Sequence, residues 1–168
     1  MNIKQLNHML HNDLLIELEK CCGSSEWVKG MVNSRPFYDK ESLHEISDKI
    51  WGGVSSKDFL EAFTHHPQIG DVDSLKKKFA STANWAGNEQ KGASQASDEI
   101  LEQLKRANDK YLKCFGFIFI VCATGKTAKE MLDLLNDRMG NDEAIELHIA
   151  ATEQNKITHL RLDKLLKS

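Results

Sequence analysis

Several features are scarce in this sequence, and each scarcity excludes a class of protein. The 168 residues include only two prolines and no linker rich in glycine and serine, so nothing marks a domain boundary. No apolar run approaches the ~20 residues of a membrane span, and no apolar segment follows the N-terminus as in a secretory signal. The net charge is −3 with both signs interleaved, which does not favour a nucleic-acid surface. We expect one cytoplasmic domain, residues 1–168, with neither membrane nor nucleic acid as a partner.

Cysteine is also scarce, and its spacing suits no structural role. The four cysteines are Cys21, Cys22, Cys114 and Cys122. The adjacent pair cannot readily form a disulfide with itself, and no Cys-x-x-Cys spacing is present for zinc. We therefore expect reduced thiols, mostly buried, and no metal held by cysteine.

What the sequence does contain is one helical segment after another. Helices tend to begin at Ser, Thr, Asp or Asn ahead of apolar residues at helical spacing, and to end at Gly or Pro. Such starts occur at Ser24-Ser25, Asp39, Ser55-Ser56, Ser97-Asp98, Thr127 and Asn141-Asp142. The last of these helices carries Ile145, Ile149, Ile157, Leu160 and Leu165 at that spacing. The pattern predicts an all-α fold, a single compact multi-helix domain.

Residues 115–123 do not follow the helical pattern. They are aromatic and β-branched, which by propensity favours a buried strand, but a continuous apolar run does not distinguish a strand from a buried helix. Their conformation stays open. The Gly125-Lys126-Thr127 sequence that follows superficially suggests a phosphate-binding loop, but the glycine such a loop needs five positions earlier is Ile120. A turn and a helix start are favoured instead.

Residues 64–73 hold the densest group of chemically active side chains. His65 and His66 end a helix before Pro67. The negative end of the helix dipole favours an imidazolium there, which suits a proton donor near neutral pH, although such histidines can also only cap carbonyl groups. Adjacent histidines lack the i, i+4 spacing that places two metal ligands on one helical face. A metal site is therefore the weaker alternative, with its further ligands from His44, Asp71 and Asp73.

A second patch, residues 85–90, combines a carboxylate with a carboxamide. Glu89 and Gln90 follow small residues that would let a ligand approach the backbone. Arg161 stands alone between apolar neighbours in the last predicted helix. Such residues are more often surface groups than ligands. The residues alone therefore predict a helical domain with a candidate site built from a histidine and a glutamate.

These patches belong to a series of motifs that runs along the chain. In order, the motifs are Trp27, Arg35-Pro36-Phe37, His66-Pro67-x-x-Gly70, Glu89-Gln90, Asn108-x-x-Tyr111, Phe115-Gly116-Phe117-x-Phe119-Ile120 and Arg161-Leu162. No single motif is specific, but their order and spacing resemble those of the 2-oxo-4-hydroxy-4-carboxy-5-ureidoimidazoline (OHCU) decarboxylases. The resemblance covers essentially the whole chain.

The resemblance implies an all-α enzyme, usually a homodimer, that needs no cofactor and no metal. It implies the third step from urate to allantoin, a decarboxylation that yields (S)-allantoin. It also implies that His66, rather than His65, is the proton donor, with Glu89 as the second catalytic residue. The substrate-binding residues that it implies are Pro67, Ala86, Gly87, Asn88, Glu89, Gln90, Phe119, Ile120, Val121, Cys122, Ala123 and Arg161.

Ala86 departs from the family pattern, which has a serine three residues before the glutamate. A hydroxyl contact to the substrate is therefore missing, unless Ser81, Thr82 or Asn88 supplies it. This favours slightly an alternative function, a helical domain that binds a small molecule without performing the chemistry. The other alternative is a metal hydrolase built on the adjacent histidines and the nearby aspartates.

Overall fold

Helices account for all the regular secondary structure in the residues that the computed structural model describes, which are 1–67, 73, 75, 77 and 98–167. The helices with defined bounds in these ranges are α1 (Ile3–His8), α2 (His11–Cys21), α3 (Ser25–Asn33), α4 (Lys40–Gly53), α5 (Ser56–Thr64), α6 (Asp98–Phe115), α7 (Ala128–Arg138) and α8 (Glu143–Lys167). The prediction of an all-α fold is confirmed.

Capping side chains define where several of the predicted helices begin. Ser24 before α3, Asp39 before α4 and Thr127 before α7 each accept a hydrogen bond from the backbone N–H three residues later. Such a bond satisfies one of the N–H groups that have no partner within the first turn of a helix. The predicted starts at these three residues are confirmed, and Thr127 acts as a helix cap rather than as part of a phosphate loop.

The chain divides into two compact units, each described here by itself. The first unit comprises residues 1–66 and 149–168, and the second comprises residues 67–148. Residues 143–148 of α8 therefore belong to the second unit and residues 149–167 to the first. The single domain over residues 1–168 stays a prediction.

The first unit has a core of large apolar side chains from helices α1 to α5 and α8. Its fully buried members include Leu6, Leu14, Leu18, Trp27, Met31, Leu43, Phe63 and Leu162. Burying one such side chain contributes ~1.5–3 kcal/mol. The two indole N–H groups are satisfied as well: Trp27 donates to the Ser47 hydroxyl at 3.1 Å, and Trp51 donates to the carbonyl of Ala151 at 3.0 Å.

The second unit is organised around a buried ion pair. The carboxylate of Glu146 is fully buried and accepts hydrogen bonds from Tyr111 Oη at 2.5 Å, Arg138 Nε at 2.6 Å and Asn141 Nδ2 at 3.0 Å. Burial and the bond to Glu146 raise the pKa of Tyr111, so its hydroxyl stays protonated and donates. Since the charges are paired and hydrogen-bonded, the cluster avoids the cost of an isolated buried charge.

Residues 117–123 form neither a strand nor a helix. α6 ends at Phe115, and Gly116 turns the chain with a φ of +79°, a conformation that glycine adopts without strain. Arg138 Nη1 then donates to the carbonyl of Ile120 at 2.7 Å, and its guanidinium lies 4.5 Å from the centre of the Phe119 ring. Side chains of the second unit thus hold an irregular segment that has no sheet partner in the described residues.

Candidate active site

His66 lies immediately after α5, where the local sequence ends the helix. The N–H groups of His65 and His66 bond to the carbonyls three residues earlier, both at 3.2 Å, so the last turn tightens. Pro67 has no N–H group and cannot continue the helix. Phe63, which is 1% exposed, anchors the preceding turn in the core. The predicted position of the two histidines at a helix end is confirmed.

The two histidine side chains have different surroundings. The ring of His65, an exposed residue, lies against Gly23, where an added Cβ would come within 2.3 Å of His65 Cγ. His66 is half-buried, and its Nε2 lies 2.5 Å from Oε1 of Gln154 in α8. Both contacts lie within the first unit. Of the two histidines, His66 is the one that is hydrogen-bonded to a buried side chain within the described part of the chain.

Gln154 belongs to a chain of polar contacts behind His66. It is 1% exposed, and its Nε2 donates to the hydroxyl of Thr158 at 3.2 Å. The Thr158 hydroxyl in turn donates to the carbonyl of Gln154 at 3.0 Å. Gln154 is not among the site residues predicted from the sequence. The sequence feature that could have indicated it is a polar pair, Gln154 and Thr158, on one stripe of the last helix. The other residues of this stripe are apolar and buried and include Ala150, Ala151, Leu162 and Leu165.

Arg161 lies in the first unit, in an open cleft together with His65. The other side chains that line this cleft include Glu17, Lys20, Cys21 and Lys164. Arg161 Nη1 donates to the carbonyl of Lys20 at 3.3 Å, and Lys20 pairs with Glu17 at 2.7 Å. The side chain is half-exposed and this bond is long, so within the described residues most of the N–H donors of Arg161 are left for a ligand.

The predicted pocket wall at residues 119–123 lies in the second unit and is largely half-buried, with Ile120 only 2% exposed. Two backbone carbonyls of this segment accept hydrogen bonds from side chains of the second unit. Arg138 binds the Ile120 carbonyl, and Lys126 Nζ donates to the Cys122 carbonyl at 2.7 Å. Among the described residues, none accepts a hydrogen bond from the N–H groups of Phe119, Ile120 or Val121.

Several predicted residues lie outside the described part of the chain: Ala86, Gly87, Asn88, Glu89 and Gln90, together with Asp71 of the alternative metal site. Pro67 is described and is exposed. In the described residues no three His, Cys, Asp or Glu side chains group as a metal site requires. His44 instead bonds to Asp163 at 2.7 Å and stacks on His159 at 4.4 Å.

The buried cysteines of the first unit are protected from ionisation. Burial raises the pKa of Cys21 to about 12 and that of Cys22 to about 11. Their thiols therefore stay protonated near neutral pH and do not act as nucleophiles. The prediction of mostly buried cysteines is right for this pair and wrong for Cys114, which is exposed, while Cys122 is half-buried.

No helix in the described ranges is long and apolar enough to cross a membrane.

Comparisons with known proteins assign the chain to one group. The family model described as OHCU decarboxylase matches residues 7–163. An Arabidopsis thaliana relative, "Uric acid degradation bifunctional protein TTL", is 42% identical over 89% of this chain, but the chain spans only about half of that protein, 46% of its length. The "2-oxo-4-hydroxy-4-carboxy-5-ureidoimidazoline decarboxylase" of Amia calva is 33% identical over 99% of this chain and 95% of its own length.

A solved structure is similar along almost its whole length. It is described as "Crystal structure of OHCU decarboxylase in the presence of (S)-allantoin", and it matches with a TM-score of 0.73 and 41% sequence identity. The match covers 90% of this chain and 98% of that one.

Proposed function

Since this chain belongs to the OHCU decarboxylase family, we propose that it converts 2-oxo-4-hydroxy-4-carboxy-5-ureidoimidazoline to (S)-allantoin in urate degradation. The observation that carries the proposal is the 41% identity, over 98% of its length, to the OHCU decarboxylase solved in the presence of (S)-allantoin. The reaction breaks the bond between the ring and the carboxylate, and CO2 leaves. The electron pair of that bond is delocalised into the unsaturated ring, and a ring carbon then takes up a proton.

His66 is the proposed proton donor. Its position at the end of α5 supports this role, because the negative end of the helix dipole favours the imidazolium form. An imidazolium also stabilises the negative charge that develops as CO2 leaves. Because Gln154 holds the ring, the proton is delivered to one face of the substrate, and a single allantoin enantiomer forms.

Glu89 is the proposed second catalytic residue. A carboxylate beside His66 would favour the imidazolium and fix its orientation. Together with Gln90 it would also bind the ureido and ring N–H groups of the substrate. The carboxyl and carboxamide groups of this pair suit that task, since an ionised carboxylate only accepts hydrogen bonds and an amide both accepts and donates them.

The remaining residues of the proposed pocket are Pro67, Ala86, Gly87, Asn88, the 119–123 segment and Arg161. Arg161 would supply a fixed cation for a substrate oxygen. The N–H groups of Phe119, Ile120 and Val121, which no described residue engages, are donors for the ligand in an apolar wall. We also propose a homodimer in the cytoplasm that works without a cofactor or a metal.

The alternative function is a helical domain that binds a small molecule without the chemistry, which Ala86 slightly favours. The experiment that separates the two supplies urate with the two upstream enzymes, urate oxidase and 5-hydroxyisourate hydrolase, and follows circular dichroism as allantoin forms. An active decarboxylase gives a growing signal of one sign. Unassisted protonation from both faces gives a racemate with no net signal, and that result with added chain contradicts the proposal.

A further inference from the structure

The proposed chemistry does not say which nitrogen of His66 carries the catalytic proton, and the contact between His66 and Gln154 bears on that question. The buried carboxamide of Gln154 lies 2.5 Å from an imidazole nitrogen of His66. The two ends of a carboxamide have opposite roles, because its oxygen only accepts hydrogen bonds and its nitrogen only donates them. Which end of Gln154 faces the ring therefore decides which nitrogen of His66 carries a hydrogen.

The neighbouring groups determine that orientation. The Thr158 hydroxyl has one hydrogen, and it lies in position to donate this hydrogen to the carbonyl of Gln154 at 3.0 Å. Its oxygen then accepts from the amide nitrogen of Gln154 at 3.2 Å. The amide nitrogen is thereby directed to Thr158 and the amide oxygen to His66. Each of Thr158, Gln154 and His66 then has a hydrogen-bonding partner of matching type.

We propose that Gln154 is a positioning residue that holds neutral His66 with its hydrogen on Nε2, so that Nδ1 is the nitrogen that gains and releases the catalytic proton. This inference rests on the proposed function for its catalytic consequence. The hydrogen bond and the tautomer are properties of the protein itself and are measurable without any substrate.

The choice of glutamine rather than glutamate has its own meaning. A neutral carboxamide orients the ring without adding a charge at Nε2. Gln154 therefore sets the orientation of His66 and leaves the affinity of the ring for its proton to the charge of other groups.

The test combines nitrogen NMR with kinetics. In protein labelled with 15N at histidine, His66 is assigned by comparison with the His66→Gln variant. We expect its neutral form to show a protonated Nε2 with a downfield, slowly exchanging hydrogen, and this hydrogen disappears in Gln154→Leu. A neutral form protonated at Nδ1 would overturn the inference.

The kinetic arm asks whether the reaction uses this contact. Gln154→Leu should lower kcat on the order of 10-fold to 100-fold, as for the outer partners of metal-bound histidines, and should change KM little because the Gln154 side chain is buried. Gln154→Glu keeps an acceptor and should retain most of kcat, with the alkaline limb of the pH profile moved to higher pH by the added charge. Gln103→Leu, an exposed glutamine on α6, is the matched control and should be silent.

The possible failures are distinguishable. If the wild-type chain produces no enantiomerically enriched allantoin, the proposed function fails, while the NMR spectrum still decides the tautomer. A Gln154→Leu enzyme that folds and keeps kcat within about twofold of wild type contradicts the positioning role. If Gln154→Leu fails to fold, the near-isosteric Gln154→Glu takes its place as the test. An unchanged pH profile in Gln154→Glu would contradict the positioning role.

Discussion

At the scale of single residues, the two adjacent histidines give the clearest contrast. His66 is bonded to a buried glutamine, whereas the ring of the exposed His65 rests on Gly23. We predict that His66→Gln abolishes the enantioselective formation of allantoin and that His65→Gln leaves most of it. Circular dichroism at allantoin absorption measures the activity, and the far-ultraviolet spectrum checks that both variants stay helical. If His66→Gln keeps its activity and His65→Gln loses it, His66 is not the proton donor.

Glu89 and Ala86 give the second comparison at this scale. Glu89→Gln keeps the shape and the hydrogen bonding of the side chain but removes the charge that is proposed to favour the imidazolium. We predict a large loss of kcat and a fall in the apparent pKa of His66, which confines activity to more acid conditions.

Ala86→Ser is the matched variant from the same patch. It restores the hydroxyl of the family pattern and should leave kcat unchanged or tighten substrate binding by ~0.5–1.5 kcal/mol, the net value of one hydrogen bond. Steady-state kinetics of both variants across about pH 5.5 to 8.5 make the measurement. If Glu89→Gln has a normal kcat and an unchanged pH profile, the negative charge of Glu89 has no part in the mechanism.

At the scale of elements, the buried pair of Arg138 and Glu146 secures the segment that follows α6. Arg138→Met leaves the fully buried Glu146 carboxylate without its cation and releases the carbonyl of Ile120. Breaking a buried pair in this way typically costs about 3–5 kcal/mol. Lys129→Met, which breaks an exposed pair on the same helix, should cost about 0–1 kcal/mol. Urea denaturation measures both, and equal losses would contradict the role given to Arg138.

The helix starts were predictable from the sequence because they depend on local side chains. Ser24, Asp39 and Thr127 cap their own helices, and no distant contact is needed. The buried face of α8 was predicted less well. Leu160 and Ile145 fit the helical spacing but are about half exposed, whereas Gln154 and Thr158 are buried.

The difference arises because burial depends on which surface the rest of the fold presents, and the helical period alone does not contain that information. Residues 117–123 illustrate the same limit. Their conformation depends on Arg138, a residue 18 positions from Ile120, and propensity does not register such a contact. Of the site, the sequence placed His65 and His66 at a helix end but missed the glutamine that holds His66.

At the scale of the whole molecule, the first prediction concerns stability in acid. Burial raises the pKa of Asp48, but hydrogen bonds from Asn155 and His159 more than offset it, so the net pKa is lowered. The hydrogen bond from Lys40 is the main reason that the pKa of Asp163 is lowered too. A carboxyl with a depressed folded pKa stabilises the fold above its unfolded pKa of about 3.9, and the contribution is lost as pH falls through the folded value.

We therefore predict that Asp48→Asn lowers the free energy of unfolding near neutral pH by ~0.2–1 kcal/mol and that the difference from wild type is smaller at about pH 3. Asp133→Asn, whose partner Lys129 is also exposed, is the control and should change less. Urea denaturation at the two pH values provides the numbers. A difference in the free energy of unfolding that grows as the pH falls would contradict this prediction.

The other prediction at this scale concerns metal. We expect activity to survive exhaustive treatment with EDTA and to need no added cofactor. The reason is chemical, since an imidazolium and a carboxylate supply both the proton and the charge stabilisation that decarboxylation requires. Loss of activity on chelation, with recovery in zinc or manganese, would support the metal hydrolase instead.

The two buried cysteines can report how often the first unit opens. Cys21 and Cys22 are 3% and 0% exposed, so an alkylating reagent reaches them only when the first unit opens, whereas Cys114 on α6 reacts in the closed state. Mass spectrometry after timed alkylation would therefore separate the two slow thiols from the fast thiol of Cys114, which serves as the reference, and from the half-buried thiol of Cys122. The rate of the slow pair reports how often the helices behind His66 come apart, with no spectroscopic probe added.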